Sequence, residues 1–150
     1  MEAFDQTLEE IFELSGSISL MSLMDDITEN LEEAVYSDLD YDEMMEKLNT
    51  PYPGGTVKLT YPEHILPETT RTYQIRDILD LLTKVGEFYS QELTPEQLNL
   101  IRLTNPKHEV NFLESPTVYD TLIEPHGMRT ELICLIGRAG EYTVELDWTS

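Results

Sequence analysis

The sequence predicts an α+β fold, with an acidic helical N-terminal third packed on a small, mostly antiparallel sheet, two or three further helices and a C-terminal β-hairpin. Three observations predict it. Apolar residues recur at helical spacing through residues 3–48; the period falls to two over residues 56–61 and 142–148; and a break rich in Pro and Gly, TPYPGG at 50–55, separates the two regimes. A chain of 150 residues is the size of one ordinary domain, able to bury roughly 70% of its unfolded surface without a metal or a disulfide. Residues 1–150 are therefore expected to form a single domain, with 1–49 its acidic helical segment and 56–150 its α+β core.

Phe4, Leu8, Ile11 and Phe12 fall on one helical stripe with Glu9, Glu10 and Glu13 elsewhere on the circle, so residues 3–14 read as an amphipathic helix ended by Ser15-Gly16. Leu20, Met24, Ile27, Leu31 and Val35 mark a second helix, with Asp25, Asp26, Glu29, Glu32 and Glu33 around them. Asp40 and Glu43 have the spacing of a capping box and open a third helix carrying Met44 and Leu48. The prolines and glycines of 50–55 then stop helical structure and make this segment the candidate hinge between layers.

Val57, Leu59 and Tyr61 alternate with Thr56, Lys58 and Thr60 as in a half-buried strand, and residues 69–74 can return beside it. From Ile75 the helical period resumes through Ile78, Leu79, Leu82, Val85 and Tyr89, with Gly86 a weak point in the helix. Thr94, Pro95 and Gln97 supply an N-cap, a first-turn proline and a capping box for a helix over 95–104, with Leu98 and Ile101 inward and Asn105-Pro106 as its stop. Residues 110–113 read as a short strand; 117–124 are ambiguous between helix and strand. The five apolar residues Leu132–Ile136 predict a strand buried on both faces, followed by the Gly137–Gly140 turn and an alternating strand through Tyr142, Val144, Leu146 and Trp148.

The net charge of −21 is unevenly placed, because residues 1–46 hold fifteen Asp and Glu and no Lys or Arg. Such a field repels phosphate backbones and anionic headgroups within a Debye length of ~8 Å, which disfavours direct nucleic-acid or membrane binding. It attracts basic protein surfaces, including those that nucleic-acid-binding proteins use. Simple solubility explains the same acidity equally well. One cysteine, no apolar run of spanning length and no basic signal region lead to the expectation of a cytoplasmic protein. Self-association as a homodimer stays open.

His64, His108 and His126 are expected in surface loops or at strand ends, without the spacing of a zinc site. Asp38, Asp40, Asp42 and Glu43 lack the glycine and the final glutamate of a calcium loop. Glu124-Pro125-His126-Gly127 is read first as a turn, and Cys134 as a small buried hydrophobe. No phosphate-binding glycine loop or nucleophile elbow occurs, so no catalytic residue, metal or cofactor is expected.

The leading expectation is a non-catalytic binding protein that neutralises a partner's basic site, as mobile-element antagonists and immunity proteins do. Its surface would consist of Asp25, Asp26, Glu29, Glu32, Glu33, Asp38, Asp40, Asp42, Glu43 and Glu46. Ten carboxylates over residues 25–46 of one helix would be spaced about 3.3 Å apart at ~1.5 Å rise, close to the ~3.4 Å of phosphates along a DNA strand, so the surface could mimic nucleic acid. One alternative is an adaptor or secretion chaperone whose Met21, Met24, Met44 and Met45 form an adaptable groove. In another, residues 18–48 fold only on a partner. The enzyme alternative is a small hydrolase using His126, His108 or Cys134 with Glu124, Glu131 or Tyr119, and it requires two of those side chains to converge in a concave site.

Overall fold

A computed structural model describes residues 2–15, 18–19, 23–24, 41–61, 69–122 and 129–149. The fold is α+β. In chain order the elements are α1 (Glu2–Ser15), β1 (Ile18–Ser19), α2 (Tyr41–Leu48), β2 (Thr56–Tyr61), β3 (Thr69–Gln74), α3 (Ile78–Ser90), α4 (Pro95–Thr104), two 3-10 turns (Glu109–Phe112 and Val118–Leu122), β4 (Arg129–Arg138) and β5 (Glu141–Thr149).

The five strands lie in the order β1-β4-β5-β2-β3. Both hairpins, β2/β3 and β4/β5, are antiparallel, and they join through a parallel β2/β5 pairing that sets Leu59 beside Tyr142. This register brings Val57, Leu59, Tyr61, Ile133, Leu135, Tyr142 and Val144 to one face, where all are buried. Thr56, Lys58, Thr143, Glu145 and Ile136 occupy the opposite, open face. Among the described residues, helices pack on the first face: Phe4 of α1 meets Tyr142 at 6.4 Å between ring centres, and Phe88 of α3 stacks on Tyr61 at 3.7 Å.

The exposure of Ile136 corrects the expectation for β4. Ile133 and Leu135 are buried, but Cys134 is half-buried and Ile136, paired with Thr143, is 52% exposed. Of the apolar run, Ile133 and Leu135 thus serve the buried face. The β4/β5 loop is the two-residue Ala139-Gly140, with φ of 55° and 82°, the left-handed pair that matches the twist of a tight hairpin.

The helix from Ile75 starts later than its apolar period suggested, because Asp77 caps it by accepting from the Asp80 N–H at 2.8 Å. Leu81 and Phe88 are buried in addition to the expected stripe. Gly86, expected to be a weak point, is a site of close approach: a Cβ there would strike the Leu23 carbonyl. The capping box of α4 is formed as expected, with Gln97 N–H donating to Thr94 Oγ1 at 3.2 Å and Thr94 N–H donating to Gln97 Oε1 at 2.9 Å. Residues 110–113 are not a strand. They belong to a 3-10 turn capped by His108, whose Nδ1 accepts from Val110 N–H at 3.1 Å. The Pro/Gly segment is anchored on both sides, since Tyr52 N–H donates to Arg76 O and Ile78 N–H donates to Thr50 O.

Candidate functional site

The acidic segment is visible in α1 and α2. Phe4, Leu8 and Ile11 recur at i, i+4 and i+7 and are 1%, 3% and 0% exposed. Burying each such side chain contributes about 1.5–3 kcal/mol, which fixes α1 against the sheet. Met44 and Leu48 of α2 are buried likewise, and Met45 packs against the same core. With the apolar stripes turned inward, Glu2 and Glu9 of α1 and Asp42, Glu43 and Glu46 of α2 are left in solvent.

An ion pair joins the two helices. Lys47 Nζ lies 2.8 Å from Glu10 Oε2, with both side chains partly exposed, so the pair contributes only about 0.2–1 kcal/mol. Its larger effect is on the field, because the single basic residue of α2 is held against α1. A cleft of about 480 Å³ opens beside the pair, lined by Thr7 of α1, Glu43, Glu46 and Lys47 of α2, and Asn49, Thr50 and Pro51 after it. Two carboxylates, Glu43 and Glu46, and the paired Lys47 are its charged groups.

Asp5 behaves differently from the other acids of α1. One of its oxygens accepts from Ala139 N–H at 2.9 Å and the other from the Tyr142 hydroxyl. The carboxylate thus locks α1 to the hairpin loop and holds Ala139 in its left-handed conformation, which costs a non-glycine residue ~1–2 kcal/mol. Tyr142 ionises well above the ordinary tyrosine range, first because it is buried and then because its hydroxyl donates a hydrogen bond to the negatively charged Asp5. Burial, followed by the Asp5 charge, also pushes up Tyr52. Tyr52 stands edge-on to Phe4 at 5.0 Å and donates to Thr56 O at 2.6 Å.

Of the ten expected surface residues, Asp42, Glu43 and Glu46 are exposed on α2. Asp25, Asp26, Glu29, Glu32, Glu33, Asp38 and Asp40 lie outside the described residues, as do most of the second helix and the carboxylate spacing measured along it. Sequence reasoning missed the contribution of Glu2 and Glu9 to the same surface, although the α1 period already placed them outward.

The histidines separate. His64 and His126 lie outside the described residues. His108 is not a surface residue: it is 1% exposed, because its ring is used as the cap of a 3-10 turn. Accepting at Nδ1 places the ring hydrogen on Nε2. That nitrogen, Asn111 Oδ1 and the Tyr119 hydroxyl are buried without a hydrogen-bond partner among the described residues. Cys134 is half-buried on β4, while Glu124 and the side chain of Glu131 lie outside the described residues. Among the described residues no group of three or more His, Cys, Asp or Glu could hold a metal ion, and no helix is long and apolar enough to cross a membrane.

The chain matches no protein-family model, no curated protein and no solved structure.

Proposed function

We propose that this chain is a non-catalytic binding protein whose α1/α2 face docks on a basic site of another protein and neutralises it. The observation that carries this reading is the division of α1 and α2 into an apolar side packed on the core and a carboxylate side whose one described cation, Lys47, is already paired. Carboxylates fixed on a packed layer lose less freedom on binding than the same charges on a loose tail, and they present one pattern to a partner. Asp25, Asp26, Glu29, Glu32, Glu33, Asp38 and Asp40 extend this surface in the proposal. The basic site is one that binds nucleic acid or another polyanion, since such sites offer the matching charge density.

The methionine-groove alternative has less support. Met44 is 2% exposed and belongs to the core, and Met24 and Met45 pack against that core.

The test is capture of partners from a lysate of the producing cell at low and at high salt, using the wild-type chain, D42N/E43Q/E46Q, and D25N/D26N/E29Q/E32Q/E33Q. The proposal expects a basic protein that is retained at low salt, released by salt, and lost or strongly weakened with either variant. A partner retained by both variants at high salt refutes it. A cooperative melt of each variant serves as the control, because relieving like-charge repulsion also alters stability.

A further inference from the structure

We propose that the free edge of the sheet at β3 pairs antiparallel with β3 of a second copy of this chain, about a two-fold axis through Thr72, joining two sheets into one. The phase of the β2/β3 ladder is set from the far side of β2. Lys58 N–H donates to Gly140 O at 2.7 Å, toward β5, so Lys58 and the residue opposite it, Thr72, form a non-hydrogen-bonded pair. The N–H and C=O of Thr72 therefore point away from the sheet, as do those of Thr70 and Gln74, two residues to either side. No strand lies beyond β3 among the described residues, and Thr70, Arg71, Thr72 and Gln74 are exposed. Such an edge is a template for another strand, and monomeric proteins blunt it with prolines, lysines or bulges. Residues 69–74 hold no proline, lysine, aspartate or glutamate, and they pair with β2 in unbroken register.

The side chains of β3 select a copy of itself as the occupant. Pairing centred on Thr72 sets Thr72 opposite Thr72, Thr70 opposite Gln74 and Arg71 opposite Tyr73 of the second copy, so the outward N–H groups of all three residues meet outward carbonyls. Centred one residue earlier, the pairing leaves Gln74 with nothing opposite it in β3 and sets Arg71 against Arg71 of the second copy. Centred one residue later, it leaves Thr70 unmatched. In the Thr72 register no like charges lie opposite one another. Arg71, which already stands 5.8 Å from the centre of the Phe88 ring, gains the ring of Tyr73 of the second copy on the same side of the sheet. The acidic helix α1 does not oppose this contact, because it is anchored on Tyr142 of β5 and on the β4/β5 loop, with β2 between it and the edge. A two-fold contact is also the commonest way for a surface to be buried by a copy of itself.

The experiment is sedimentation equilibrium of the full chain over a concentration series at about 0.15 M salt, with the melt of each variant checked at a concentration where it is monomeric. The wild type is expected to be in monomer–dimer equilibrium. Thr72→Pro deletes an N–H that β2 does not use, and is expected to raise the dissociation constant about tenfold or more. T72D and T72K each place like charges across the axis and should weaken the dimer. An equimolar mixture of T72D and T72K should associate more tightly than either alone, because a residue on the axis faces its own copy. The same pair of changes at Thr143, exposed on β5, should show no such preference. A wild type that stays monomeric, a dimer that survives Thr72→Pro, a T72D/T72K mixture no tighter than its components, or an equal preference from the Thr143 pair would overturn the assignment. None of these outcomes depends on the basic partner proposed for α1/α2.

Discussion

The helical surfaces at α1/α2 and at α4 with its following turn solve the same packing problem in opposite ways. On α1 and α2 the apolar stripes are consumed by the core and the outward positions carry carboxylates. On α4 only Ile101 is fully buried, Leu98 is half-buried, and Leu100 and Leu103 face outward between charges of both signs. A net charge of −21 therefore does not describe the molecule evenly. One described face presents carboxylates over a buried apolar stripe, and the other exposes apolar side chains among charges of both signs.

The largest effect that can break this contrast is on stability. Phe4→Ala removes a side chain 1% exposed and should cost about 3–5 kcal/mol in a urea melt. A loss below about 1 kcal/mol would mean that α1 is not held on the core and that its acidic face is not rigid. The contact between α3 and residue 23 offers a second probe. Gly86→Val should destabilise by about 1–3 kcal/mol or more, because the helix and the Leu23 carbonyl must separate.

Alkaline titration probes the aromatic layer beneath these helices. Burial raises the ionisation of Tyr61 and Tyr89 above the tyrosine range. Below about pH 10, the ordinary tyrosine value, both states keep their protons and stability is flat. Above it the unfolded chain releases protons that the folded chain retains, so stability falls, by up to about 3 kcal/mol per pH unit for the two residues together. Denaturant midpoints measured at several pH values should decline with that sign; a midpoint unchanged from neutral pH to above 11 would contradict the burial. Next in size, Asp5→Asn should cost about 1–3 kcal/mol, since the hydrogen bonds to Tyr142 and Ala139 lose a charged acceptor. The smallest effect is expected on the other face. Phe112→Ala, at a residue 78% exposed, should change monomer stability by less than about 0.5 kcal/mol.

What the sequence revealed follows from how local the governing physics is. The cap of α4 and the bounds of β2 were legible because Thr94, Pro95 and Gln97, or the alternation from Thr56 to Tyr61, act within a few residues. Asp5 was not. Its partners lie 134 and 137 residues away, and nothing near it separates this carboxylate from Glu9 or Glu10. The same holds for the parallel β2/β5 pairing, and for Ile136, which faces outward although it belongs to an apolar run. Val110 and Phe112 alternate like a strand, yet His108 accepting from Val110 N–H turns the chain into a 3-10 helix. A histidine inside a turn is a tertiary fact. The acidic face was legible as charge, and its outward direction on α1 and α2 followed from the apolar period of each helix.

The most direct test of the α1/α2 face is the salt dependence of binding to the basic protein recovered by capture, measured for the wild type and for D42N/E43Q/E46Q. The account predicts that wild-type affinity falls steeply with ionic strength, by about tenfold or more between 0.05 and 0.5 M salt, mainly through slower association and with a shallower slope in the variant. Equal affinities with equal slopes would contradict it.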